Sequence, residues 1–141
     1  MREILFRGKT FRGEWITGLL AYDKSKDTDF PWFISNSAGR PFAYSVDSKT
    51  VGQFTGLLDK NGVKIFEGDI LKLKEEAIFT EKFEEWIGVV EWSVWELCYK
   101  YGFYCWCSAG RAIGCNEGEN IAHDHEVIGN IHDNPELLNA N

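Results

Sequence analysis

The stretch TVGQFTGLLDKNGVKIFEGDIL, residues 50–71, decides the fold class of this chain. Its opening TVGQF alternates apolar with small or polar residues, as a half-buried strand does. Asp59-Lys60-Asn61-Gly62 then supplies turn chemistry: an Asp carboxylate bonds to the backbone two residues on, and Asn and Gly tolerate positive φ. Beyond the turn, Val63 and Ile65 fall on one face of a return strand and Lys64 and Phe66 on the other. Glu67-Gly68-Asp69 breaks that strand before ILKLK resumes extended alternation. The prediction is two turns joining three short strands, a pattern common in SH3-like barrels. Such a pattern speaks to fold and leaves function open.

Working outward, residues 1–22 read as two strands about Gly8 or Gly13. DKSKDTD, residues 23–29, has no apolar residue and reads as an exposed loop. Residues 30–34 form an apolar run with Pro31 near its start, the pattern of an edge strand. A turn over residues 36–41 and the alternation of Phe42, Tyr44 and Val46 complete a further hairpin. After Lys74, Ile78 or Phe79, Phe83 and Trp86 or Ile87 recur at three- and four-residue spacing among acidic residues, which predicts an amphipathic helix over 75–87. A twisted hairpin is the alternative, because Ile, Phe, Thr and Trp favour strands. Residues 88–98 and 103–107 read as two strands flanking Lys100-Tyr101-Gly102. Residues 126–132 read as a last strand, followed by a helical turn that Asn134 would cap ahead of Pro135. The expected fold is mainly β: a small SH3-like or barrel-like antiparallel sheet assembly with one or two short helices, spanning 1–141 as a single domain.

Composition agrees with that class. The 141 residues suffice to bury roughly two thirds of the unfolded surface without staples, and six Trp, five Tyr and ten Phe favour sheet surfaces. Residues 1–70 hold ten Lys or Arg against nine Asp or Glu, whereas residues 71–141 hold five against thirteen, which accounts for the net charge of −7. An acidic second half repels phosphate. Only Arg2, Arg7, Lys9, Arg12, Lys24, Lys26 and Arg40 could assemble the basic patch that nucleic acid requires. Arg2 and Glu3 open the chain with charge and no apolar run approaches bilayer length, so a cytoplasmic protein without membrane attachment is expected. Four cysteines then suit a reduced state.

The segments MREILFR (residues 1–7), QFTGLLDKNGVKIFEGDI (53–70) and EVIGNIHDNPELL (126–138) together resemble the YopX-like proteins of phages and prophages. The resemblance runs from end to end of the chain and implies a mostly β fold, a phage or prophage origin and a bacterial host, with no biochemical activity to carry over. Departures fall in residues 74–86, longer and more acidic than the usual connector, and in the Trp- and Cys-rich residues 92–107.

No constellation proposes catalysis. His123 and His125 would share a strand face, but Cys98, Cys105, Cys107 and Cys115 have gaps of seven, two and eight rather than the paired short spacings of zinc sites. They read as loop histidines, and a metal-assisted hydrolase through them is the disfavoured reading. Cys105 and Cys107 are same-face strand neighbours, too far apart to bond without distortion. Glu67 and Asp69 are accounted for by the turn. Phosphate-cradling glycine motifs are absent, and no cofactor is expected. The binding candidates are Trp92, Trp95, Tyr104 and Trp106, aromatics able to hold a peptide or single-stranded bases. The bland account makes them core or an oligomer interface. The leading expectation is a non-catalytic interaction module whose partner is a host or phage protein or a second copy of the chain. Single-stranded nucleic-acid binding is the alternative.

Overall fold

The computed structural model describes residues 3–25, 30–35, 43–76, 83–93, 98–101, 104–106 and 125–139, with 73–76, 83–86, 93, 98–101 and 104–106 described as backbone. Contacts divide the chain into two units, Met1–Phe54 and Thr55–Asn141.

In the first unit, β1 (Phe6–Lys9), β2 (Trp15–Tyr22), β3 (Trp32–Ser35), β4 (Ala43–Ser45) and the first part of β5 (Asp47–Leu58) pair in the order β4-β3-β2-β1-β5. β1 turns into β2 through Thr10–Gly13, where Gly13 takes φ 89° and donates to the Thr10 carbonyl at 2.9 Å. The register Phe6↔Gly18, Gly8↔Ile16 and Leu20↔Ile34 puts these residues on one face. That face holds the unit's core: Ile34 and Val46 are buried, and a Cβ on Gly8 would sit 3.0 Å from both. Gly18 permits the tightest approach, because a Cβ there would overlap the Ser35 carbonyl oxygen. Between β1 and β5 the register slips, from Arg7↔Gly52 to Lys9↔Asp47. Thr50 repairs the ladder by accepting from the Lys9 N–H at 2.8 Å while donating to the Asp47 carbonyl at 2.6 Å. Pro31 lies outside β3, its carbonyl accepting from the Asp23 N–H, and β3 is an interior strand between β2 and β4. The edge-strand reading of residues 30–34 is corrected accordingly: with the proline outside the ladder, β3 can pair on both sides.

In the second unit, the end of β5 pairs with β6 (Lys64–Phe66). β7 (Asp69–Glu76), β8 (Phe83–Ser93), β9 (Cys98–Tyr101), β10 (Tyr104–Trp106) and β11 (His125–Asn130) form a second antiparallel sheet, in the order β10-β9-β8-β7-β11. The two turns of the central stretch are built as the sequence predicts. Asp59 Oδ1 accepts from Asn61 N at 2.8 Å and Val63 N at 2.9 Å, with Gly62 at φ 80°. Asp69 Oδ2 accepts from Phe66 N at 2.7 Å, with Gly68 at φ 86°. Ile65 and Phe66 are neighbours in β6 and both buried, and so are Ile70 and Leu71 in β7, so both faces of these strands are covered. Val90 completes this core.

The helix expected over 75–87 is not formed: residues 75–76 end β7 and residues 83–87 begin β8, paired as Glu76↔Phe83 through Leu73↔Trp86. The hairpin alternative is correct, because ladder pairing with β7 satisfies these backbones and outweighs the 3.6-residue spacing. Residues 88–98 are not one strand either. β8 stops at Ser93 and β9 folds back on it, so residues 83–106 hold a three-strand meander. Among the described residues the only helical element is the 3₁₀ turn Pro135–Asn139, and no barrel closes. Asn134 does not cap that turn with its side chain; Oδ1 reaches back toward Asn130 N at 3.4 Å, and its carbonyl accepts from Leu137 N at 3.1 Å. No helix among the described residues is long and apolar enough to cross a membrane.

Candidate functional site

The meander β8–β9–β10 gathers the predicted aromatics by register. Trp92 pairs with Tyr99, and Tyr99 pairs with Trp106, so the three residues occupy one row across three strands. Two residues along the strands, a second row runs Val90, Tyr101, Tyr104. Val90 is buried, whereas Trp92, two residues on, is 46% exposed and its neighbour Glu91 is exposed too. The packed core therefore gives way to an accessible indole within one step of the pleat. β10 ends the sheet among the described residues. Trp92 and Trp106 thus share a row, Tyr104 stands in the row two residues along, and Trp95 lies outside the described residues. Tyr99 and Tyr101 are the positions that sequence reading missed. Their alternation around Lys100 was the available signal, but it was obscured by assigning residues 88–98 to one strand.

His125 is wholly buried at the start of β11, opposite Leu73, and its carbonyl accepts from Lys60 N at 3.0 Å. It is a core strand residue, which corrects the loop reading; His123 lies outside the described residues. No group of three or more His, Cys, Asp or Glu able to hold a metal occurs among the described residues. Cys98 and Cys105 stand opposite Ser93 and Lys100, and Cys107 and Cys115 lie outside the described residues. Asp59 and Asp69 spend carboxylate oxygens on backbone N–H groups, a structural role.

The first unit presents a second, different surface. Arg7 and Lys9, both half-buried, share the face of β1 opposite Gly8, and half-buried Trp15 stands across from Lys9. The Arg7 guanidinium lies 4.9 Å and the Lys9 ammonium 5.9 Å from the Trp15 ring centroid. Phe11, in the β1–β2 turn, meets Phe30 with ring centroids 4.3 Å apart, and both are about half exposed. Arg12 and Lys24 are exposed, whereas Arg2, Lys26 and Arg40 lie outside the described residues. Two clefts also open in this unit, of about 450 Å³ beside Ala21, Tyr22, Phe33 and Ala43, and about 310 Å³ beside Leu20, Trp32, Ser48 and Val51. Both linings are mostly apolar. Asp23, at the first cleft, accepts from the N–H and hydroxyl of Ser25, an Asx turn rather than a poised acid.

The crystal structure of protein EF1440 from Enterococcus faecalis is similar to 98% of this chain and covers 99% of its own, at 26% identity and a TM-score of 0.55. No curated protein matches the chain. The family model described as YopX protein matches residues 5–139, from the residue before β1 to the last residue of the 3₁₀ turn. The chain therefore belongs to the YopX family.

Proposed function

We propose that this chain is a non-catalytic protein-interaction module of phage or prophage origin, working in the cytoplasm of a bacterial host, and that it captures a host or phage protein through β8–β9–β10. The observation that carries the reading is the row Trp92–Tyr99–Trp106 with Trp92 at 46% exposure. Tryptophan and tyrosine bury large area while ordering few torsions, which is why they dominate the binding energy of protein interfaces. An exposed indole beside two further aromatic positions at the end of a sheet supplies such an anchor.

The test is affinity capture of tagged protein from host cells, with Trp92→Ala and Trp106→Ala compared against the parent. Because β9 and β10 pair within the meander, each variant's thermal transition is measured alongside. Partner recovery is expected to fall at least tenfold for Trp92→Ala with its transition retained, in line with loss of a central aromatic anchor. Undiminished capture by both folded variants would overturn the assignment of the surface.

A further inference from the structure

We propose that the first unit binds single-stranded nucleic acid around the β1–β2 hairpin, with Arg7, Lys9 and Arg12 meeting phosphates and Trp15 and Phe11 meeting bases. Arg7 and Lys9 are two residues apart on β1, and the pairing Lys9↔Trp15 sets both cations around one indole, at 4.9 and 5.9 Å. Two like charges held over a single ring repel each other. The ring quadrupole offsets part of that repulsion. The β1–β2 turn that joins Lys9 to Trp15 adds Phe11 and Arg12, both exposed. A single strand offers both phosphates and bases, and sequence-tolerant binding proteins join a positive track to aromatic stacking platforms. This concentration of positive charge is notable in a chain whose net charge is −7. The proposal is independent of the aromatic meander, which belongs to the second unit.

Fluorescence anisotropy of a labelled oligothymidylate of about 15 nucleotides, titrated with full-length protein, tests the site. Three phosphate contacts on a single strand predict that affinity falls roughly 20-fold between about 50 and 200 mM salt. Lys9→Gln is expected to reduce the slope of log affinity against log salt by about 0.7. The Arg7→Gln/Lys9→Gln double variant should weaken low-salt binding at least tenfold. Glu14→Gln, which removes the exposed carboxylate of the same turn, should strengthen it. Inorganic polyphosphate of matched charge should bind more weakly than oligothymidylate, and Trp15→Phe should narrow that difference. Trp92→Ala should leave oligonucleotide binding intact, so this proposal and the protein-capture proposal fail separately. No binding at low salt, or undiminished binding by a double variant with a normal thermal transition, would overturn the proposal. Equal affinity for polyphosphate would reduce the site to a general polyanion surface and overturn the nucleic-acid assignment.

Discussion

At the scale of single residues, Asp59 ties its own turn to a strand far away in sequence. It is 1% exposed, and its two oxygens accept from three backbone N–H groups: Asn61 and Val63 in its own turn, and Val127 in β11 at 3.0 Å. Its own N–H donates to the Val63 carbonyl, and its carbonyl accepts from Gly62 N. Asp59→Ala removes three part-buried hydrogen bonds, and a loss of about 3 kcal/mol is expected from the urea midpoint. Asp59→Asn should cost about 2 kcal/mol, because the amide retains one oxygen but turns an NH₂ toward another donor, whichever way it is placed. By contrast Lys60 and Glu126, 3.5 Å apart and both well exposed, form a surface pair, and Lys60→Ala should shift stability by less than about 0.5 kcal/mol. The same urea titrations separate the two cases. The bonds from Asp59 to its own turn were legible in DKNG, since they span two and four residues. The bond to Val127 spans 68 residues and was not, because nothing local states which strand will arrive beside the turn.

At the scale of elements, two glycines test two different constraints. Gly18 lies within β2, where an added methyl would overlap the Ser35 carbonyl oxygen and press on Ile34. Relief requires β2 and β3 to separate, so Gly18→Ala is expected to cost about 3 kcal/mol. Gly62 has open space around it but takes φ 80°, so Gly62→Ala should cost only about 1 kcal/mol, the penalty of a left-handed backbone for an L side chain. Thermal midpoints for the pair should rank in that order, and equal shifts would contradict the assignment of cause. The strand pair β7–β8 shows why element type was only half legible. Apolar residues in 75–87 fit a helical period, yet the types are aromatic and β-branched, and the register continues from Glu76↔Phe83 to Ile70↔Val89 without a slip. Spacing over a dozen residues is a local signal. A neighbouring strand already in place offers backbone partners at every residue, and it decides the outcome.

At the scale of the whole molecule, mainly β structure predicts a far-UV circular dichroism spectrum with a single strand-type minimum, lacking the helical double minimum. A helical spectrum would contradict the pairing of residues 83–89 with β7. The uneven charge legible in the sequence takes on a position once strands pair: Arg7, Lys9 and Arg12 lie in the first unit, beside Trp15 and Phe11, while the exposed Trp92 and Glu91 lie in the second. Of Gly8 and Gly13, the two positions about which the sequence could turn the first pair of strands, only Gly13 lies in a turn. Gly8 is instead a buried strand residue that lets Ile34 and Val46 close over it.

What the sequence by itself determined are the features set within a few residues: the Asp59 and Asp69 turns, the glycines at positive φ, the predominance of strands and the membership of the family. These follow from backbone sterics and short-range hydrogen bonds, which depend on residue type and nearest neighbours. Tertiary structure alone decided that residues 83–87 are strand, that His125 is core, that Trp92, Tyr99 and Trp106 fall in one row, and that Lys9 stands across from Trp15. Each of these depends on which strand becomes whose neighbour and in what register. A shift of one residue in register moves every side chain to the opposite face, so no local pattern of residues carries that information.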